Sequence, residues 1–136
     1  MNFANIDRKA MPITLTNRRG RILLKMVCTP IGNEFIVTLS GGDTEHIGAV
    51  VVGRTNKSKI HTNGAGSSIT DTIVLPKHKE GVIAKSIASL LTTNLNTVVC
   101  IICGIHLKNI LKTELEDVVE MSQEMTNDLI RQITTR

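Results

Sequence analysis

The chain has 136 residues, of which 41% are hydrophobic and 21% charged, so its composition predicts one folded domain and excludes a disordered protein. No apolar run approaches the roughly 18 residues of a membrane-spanning helix, and the polar opening MNFANIDRKAM lacks the pattern of a signal peptide. With two Phe and no Tyr or Trp, the chain is a poor candidate for a nucleic-acid binder that stacks bases on aromatic rings. We therefore expect one soluble, cytoplasmic domain over residues 1–136.

The charges are unevenly distributed along the chain. The net charge is +4, and the excess of Lys and Arg falls in the first 30 residues and in a central loop. Such patches attract phosphates or acidic partners, although most of them are simply solvated surface. The three cysteines are an odd number, which does not predict a disulfide framework.

In the first half of the chain, short apolar runs alternate with turn residues, a pattern that predicts a β-meander followed by further strands. A loose leader is expected over residues 1–11 and a flexible, hydrophilic loop over residues 54–69. Strands are expected at residues 13–16, 21–29, 34–39, 47–53 and 70–75, with turns at 17–20 and 30–33 and a glycine-rich acidic loop at 40–46.

In the second half the hydrophobic period lengthens from two residues to between three and four. Ile83, Ile87, Leu91 and Leu95 predict an amphipathic helix over residues 77–94, with Pro76 at its first turn. The run TVVCIIC at 97–103 predicts a strand buried on both faces. A second helix is expected from a capping box at Thr113 and Glu116 to the C-terminus, with an apolar face of Leu115, Val118, Val119, Met125, Leu129 and Ile133.

The element order is therefore β-β-β-β-β-α-β-α. Because the strands come first and the helices late, the fold class is α+β: a mainly antiparallel sheet with two amphipathic helices packed on it. A doubly wound fold would instead alternate strands with helices throughout the chain.

Cys100 and Cys103 have the spacing of a redox or zinc motif, but their context argues against one. Residues three apart in a strand point to opposite faces of the sheet, so the two sulfur atoms should diverge. The chain has no second cysteine pair to complete a four-sulfur zinc site. We interpret both residues as small buried hydrophobic side chains.

Polar residues that could form a binding site occur in three separate loops. Gly41, Gly42, Asp43 and His46 combine glycines, which let a ligand approach the backbone, with groups that bind protons, metals or phosphates; a plain turn is the alternative. Lys77, His78 and Lys79 begin the first predicted helix, where free N–H groups favour anions, although such a helix end is also ordinary surface. His106 and Asn109 follow a central strand, where sites are common and structural histidines more so.

His46, His78 and His106 each lie beside a strand end. If those ends meet at one edge of the sheet, the three imidazoles and Asp43 could converge. Such a set could hold zinc, or it could supply a general acid and base. Nothing in the spacing decides between these uses.

Three segments in this order resemble the prenylated-flavin chaperone domain: GGDTEHIGAV at 41–50, LPKHKE at 75–80 and GIHLKN at 104–109. That family includes the small D subunit of gallate decarboxylase and is related in fold to proteasome assembly chaperones. The resemblance extends from about residue 20 to the C-terminus. It implies an α+β domain that forms dimers and serves UbiD-type decarboxylases, whose large subunits use prenylated FMN.

Site candidacy carries over from the family to Asp43, His46, His78, Lys79 and His106, where the motif residues match. Lys77 and Lys79 could hold the flavin phosphate, and aliphatic side chains would have to support the flavin ring. We therefore expect a non-catalytic accessory protein that binds prenylated FMN and delivers it to, or helps mature, a UbiD-type decarboxylase. Two alternatives remain: a zinc-dependent hydrolase using His46, His78, His106 and Asp43, and an assembly chaperone that contacts only protein.

Overall fold

The fold follows from alternating apolar residues in six strands and from apolar stripes on two helices. A computed structural model describes residues 11–56, 67–76 and 80–134. Outside these ranges lie residues 1–10 of the predicted leader, the middle of the predicted loop at 54–69, and Lys77, His78 and Lys79. The elements are β1 (Ile13–Arg19), β2 (Ile22–Ile31), β3 (Glu34–Gly42), β4 (Ala49–Asn56), β5 (Ser67–Val74), α1 (Gly81–Leu95), β6 (Val99–His106) and α2 (Lys112–Thr134).

The six strands form one sheet in the order β1-β2-β3-β6-β4-β5. The first three strands make the predicted antiparallel meander, and β4 pairs antiparallel with both β5 and β6. Among the described strands, the one parallel pair joins β3 to β6, with Gly42 opposite His106 at their ends. The predicted α+β class, a mainly antiparallel sheet with two helices, is confirmed.

Both helices pack on the same face of the sheet and enclose the core. α1 lies over β4, β5 and β6, α2 lies over β1 and β2, and the helices also contact each other. Burial alternates along β1, β2, β3, β4 and β6, so every second side chain of these strands faces the core, whereas residues 71–74 of β5 are exposed. The largest fully buried side chains are Phe35, Ile22, Leu24, Met26, Leu39, Leu91, Leu95, Ile101, Met121, Leu129, Ile133 and Val37. Neither helix is long and apolar enough, over its described residues, to cross a membrane.

The other face of the sheet has no helix over it within the described part of the chain. The prediction that the strand at 97–103 is buried on both faces is therefore wrong: Ile101 and Cys103 are fully buried, whereas Cys100 and Ile102 are only partly covered. The cysteines do lie on opposite faces, as their spacing predicted. Burial raises the pKa of the Cys103 thiol to about 12, which suits a buried hydrophobic role.

The strands are longer than predicted because the chain reverses in two-residue turns. The first turn is Gly20-Arg21, with Gly20 at φ 55°, so residues 17–19 belong to β1 and not to a turn. The second turn is Gly32-Asn33, so Pro30 lies within β2, beyond the last residue paired with β1. Likewise β3 continues to Gly42, β4 to Asn56, and β6 to His106.

The helix starts also differ from prediction. α1 begins at Gly81, after Glu80 as N-cap, so Pro76 precedes the helix instead of occupying its first turn. At the start of α2 the carboxylate of Glu114 accepts the backbone N–H of Leu111 at 3.0 Å, so the cap does not use the predicted Thr113 and Glu116 pair. The α2 face is buried at Val118, Met121, Met125, Leu129 and Ile133, whereas Leu115 and Val119 are exposed.

Candidate functional site

One edge of the sheet brings together the loops that carry the predicted site residues. The parallel strands β3 and β6 end there, β4 begins there, and the chain leaves β5 there towards α1. The Asp43 N–H donates to the His106 carbonyl at 2.7 Å, and the Gly48 N–H donates to Cys103 at 2.9 Å. The Leu75 N–H in turn donates to Gly48 at 2.9 Å. We call this end of the sheet the site edge.

Two of the three predicted histidines meet at the site edge. The ring centroids of His46 and His106 lie 6.2 Å apart in an edge-to-face arrangement, with the ring planes 70° apart. The side chain of His46 is 21% exposed, whereas His106 is an exposed residue. His78 lies outside the described residues. The convergence that the loop positions suggested is therefore present for this pair of imidazoles.

The partner of His46 is Glu80, a residue that no sequence motif singled out. The carboxylate Oε1 of Glu80 lies 3.2 Å from His46 Nε2, and the backbone N–H of Ile105 points to the same oxygen at 3.4 Å. Glu80 is only 6% exposed and caps α1, where the helix dipole favours a negative charge. A predicted helix start at Gly81 would have placed Glu80 at the N-cap position. Glu80 is also the one acid in the basic stretch that precedes Gly81.

Glycines allow the backbone segments at the site edge to approach one another closely. A Cβ on Gly104 would overlap the carbonyl oxygen of His46, and one on Gly48 would overlap the carboxylate of Glu80. Gly42, at φ 81°, lies against the His106 carbonyl, and Gly41 lies against the Leu23 carbonyl. The predicted site glycines Gly41 and Gly42 thus make room for neighbouring backbone.

The carboxylate of Asp43 is held by the protein itself. It accepts the N–H of Lys108 at 2.8 Å and lies 3.4 Å from the guanidinium of Arg21. Arg21 also donates to both carboxylate oxygens of Glu114, at 2.7 and 2.9 Å, and to the Lys108 carbonyl at 2.9 Å. The Arg21 guanidinium, and then the Leu111 N–H, lower the pKa of Glu114 to about 2. This cluster joins the β3–β4 loop to the β6–α2 loop, and Asp43 serves as part of that joint.

Asn109 lies in the same β6–α2 loop. Its φ of 54° is left-handed, a conformation that Asn adopts more readily than most residues. The structure thus accounts for an Asn at this position by backbone conformation.

The described residues give no support to the zinc hypothesis. No three His, Cys, Asp or Glu side chains among those residues are placed to hold a metal ion. His46 pairs with Glu80, and Asp43 is turned towards Lys108 and Arg21. The described arrangement places the buried carboxylate of Glu80 against the imidazole of His46, with the exposed imidazole of His106 beside them. Together these groups can donate and accept hydrogen bonds and exchange protons.

Exposed apolar side chains occur on the segments that begin or end at the site edge. On the β4–β5 side these are Ile47, Leu75 and Val82, which are 55%, 41% and 79% exposed. On the α2 side Leu111 and Leu115 are 62% and 50% exposed. The opposite edge of the sheet has one exposed large apolar side chain among the described residues, which is Ile31. Clusters of this kind on a folded domain mark contact surfaces.

Comparison with known proteins identifies the family. A model of the prenylated flavin chaperone LpdD-like domain matches residues 18–134. The chain belongs to this family. A curated member, Protein LpdD of Lactiplantibacillus plantarum (strain ATCC BAA-793 / NCIMB 8826 / WCFS1), is 26% identical over 125 residues, covering 88% of this chain and 81% of that protein. The resemblance drawn from the three sequence segments is therefore confirmed.

The fold of this LpdD-like chain also occurs in a solved structure of a chaperone complex for yeast 20S proteasome assembly. That structure aligns with a TM-score of 0.60 over 90% of this chain and 96% of the other, at 9% sequence identity. An identity this low shows a shared fold only. The family match supports an accessory or chaperone role.

Proposed function

We propose that this protein is a non-catalytic accessory protein that binds prenylated FMN and delivers it to, or helps mature, a UbiD-type decarboxylase. The observation that carries the proposal is the meeting of His46, Glu80 and His106 at one edge, within a chain of the LpdD-like family. Two imidazoles and a buried carboxylate give a ligand both donors and acceptors beside apolar surface, which fits the polar and apolar parts of a flavin.

The phosphate of the cofactor needs a cation, and the sequence offers Lys77 and Lys79 directly before Glu80. Within the proposal, the two lysines and His78 hold the phosphate, while His46, His106 and Asn109 contact polar atoms of the rest of the ligand. Prenylated FMN would supply the decarboxylation chemistry in the recipient enzyme. This chain's own residues bind the cofactor and release it.

The test is an anaerobic titration of the purified protein with prenylated FMN. His106→Ala should weaken binding by about tenfold, because it removes an exposed imidazole from the site edge. A Lys77→Ala, Lys79→Ala double variant should weaken binding of FMN but not of riboflavin, which has no phosphate. Arg131→Ala is the matched control, since Arg131 is an exposed cation in the last turn of α2, far along that helix from the site edge. Wild-type protein that binds no flavin would refute the proposal.

The proposed protein partner is the large subunit of a UbiD-type decarboxylase, docked at the site edge. The exposed apolar side chains on the segments that begin or end at the site edge support this position, because a recipient seated on them would face the cofactor site. Leu111→Glu should therefore abolish co-elution with the decarboxylase. Ile31→Glu, at the opposite edge and similarly exposed at 57% against 62%, should leave it intact.

We also propose that the protein is a homodimer and works in the cytoplasm. The sheet face over which no helix is described supports the dimer, because partly covered Val27 and exposed Val52 lie on it and a second copy could bury them. The free thiols of Cys28, Cys100 and Cys103 suit a reducing compartment. Sedimentation at several protein concentrations tests the dimer, and a single species at the monomer mass would refute it.

A protein-only assembly chaperone is the second candidate, favoured by the same exposed apolar side chains. It predicts binding to a partner subunit that is unchanged by prenylated FMN and by His46→Ala or His106→Ala. The cofactor role predicts that both substitutions reduce transfer of flavin to the enzyme. A reconstitution assay that starts from apo-decarboxylase therefore separates the two candidates.

A further inference from the structure

A groove lies on the sheet face that carries no described helix, where β3 and β6 approach the site edge. Its volume is about 380 Å³, and its lining includes Thr38 and Ser40 of β3, Ile102 and Gly104 of β6, and Glu45, His46 and Ile47 of the β3–β4 loop. Small-molecule sites commonly have volumes of about 300–1,000 Å³, so the groove is large enough for a ring system.

The strand pairing and one glycine explain why a groove forms there. Thr38 pairs with Ile102 across the parallel strands, and Ile102 pairs with Val50, so one row of side chains forms a floor. Gly104, the next residue on this face of β6, has no side chain, and the His46 carbonyl lies directly against it. The loop therefore rises over β6 and forms a wall at the end of the row.

The lining is apolar on its floor and has hydroxyl groups along one strand. Ile102 and the methyl group of Thr38 offer a flat aliphatic surface, and the hydroxyls of Thr38 and Ser40 can donate or accept hydrogen bonds. Within the described residues the only Phe, Tyr or Trp is Phe35, which is 2% exposed in the core and cannot stack on a ligand. A flat ligand with apolar faces and a polar rim matches this lining.

We infer that this groove receives the ring system of the flavin, lying on Ile102 and Thr38 with its polar edge towards Ser40. The inference rests on the proposed function and adds the position of the ring. The wall residue His46 also contacts Glu80, so a ring in the groove lies against the segment that positions the buried carboxylate–imidazole pair. The ring thus binds on the sheet face, while the phosphate extends past the site edge.

The test combines a substitution with a direct map of the ligand position. Ile102→Gln replaces the aliphatic floor with an amide and should weaken binding of prenylated FMN by about tenfold. Ile36→Gln is the matched control, because Ile36 lies on the same face of β3, is also partly covered, and is outside the groove. It should change the affinity by less than about twofold. Thermal unfolding of both variants checks that each remains folded.

Amide chemical shifts of the ¹⁵N-labelled wild-type protein locate the ligand independently of any variant. Prenylated FMN and riboflavin should both shift the amides of Thr38, Ser40 and Gly104. Flavin binding with shifts confined to other residues, or unaffected by Ile102→Gln, would overturn the groove assignment and leave the proposed function standing. No binding of any flavin would overturn both. Shifts at these amides that follow protein concentration and not ligand would show that a second copy covers the groove, and would also overturn the assignment.

Discussion

Gly104→Ala tests the packing on which the site depends. The added methyl group would overlap the carbonyl oxygen of His46, which is a backbone atom and cannot rotate away. To regain ordinary contact distance the loop has to move by roughly 2 Å. Overpacking of this kind typically costs about 1–3 kcal/mol. Loss of the hydrogen bond from the Gly48 N–H to the Cys103 carbonyl, which ties the loop to β6, adds about 1 kcal/mol. For a domain of this size, a loss of about 2–4 kcal/mol lowers the melting temperature by roughly 6–15 °C.

Gly81→Ala is the control for this experiment. The atom nearest to its added methyl group would be a side-chain methyl of Val74, which is 46% exposed and can shift, and Ala is the better helix former. We expect the melting temperature of the control to stay within about 2 °C of wild type. Scanning calorimetry measures both variants, and the imidazole chemical shifts of His46 report the loop position. Unchanged stability and unchanged His46 shifts in Gly104→Ala would refute the close packing of the loop on β6.

Three further outcomes are expected. Arg21→Met removes the guanidinium that depresses the pKa of Glu114 to about 2. The free energy of unfolding in urea should therefore be lower than that of wild type, with the full difference above about pH 4.5 and a shrinking difference towards pH 2. A difference that stays constant with pH would contradict this. A thiol reagent at about pH 8 should label Cys100 before Cys103, whose pKa of about 12 reflects burial, and equal rates would contradict the core position of Cys103. Leu91→Ala should cost about 2–5 kcal/mol in denaturant unfolding, because Leu91 is fully buried; a cost below about 1 kcal/mol would contradict its packing.

The fold class could be predicted because it depends on the order of strands and helices, which local sequence patterns indicate. Turn residues separated the strands, and the change in hydrophobic period marked both helices. The boundaries were less accessible, since polar residues such as Asn17 and Arg18 continue β1 through pairing with β2, which a local pattern does not reveal. The parallel pairing of β3 with β6 is a tertiary feature that no segment of the sequence encodes by itself.

The candidate site could be predicted in part for the same reason. His46 and His106 were identified as loop residues beside strand ends, but their meeting depends on β3 and β6 being adjacent and parallel. Glu80 was missed because the helix was expected to begin at residue 77, which made this acid an ordinary surface residue. Asp43 was chosen by residue type, and only the contacts with Lys108 and Arg21 show that its carboxylate holds two loops together.

The contact between buried Glu80 and His46 is the feature of this site that stability alone does not explain. Burying a carboxyl group costs free energy that apolar side chains of similar volume would not cost. This chain instead places the carboxylate at a helix N-terminus and leaves Gly48 beside it without a side chain. Gly104 admits the loop that carries His46, and Arg21 joins that loop to the segment before α2. Several independent arrangements thus hold one carboxylate–imidazole pair next to an exposed imidazole, which is the geometry expected of a binding site.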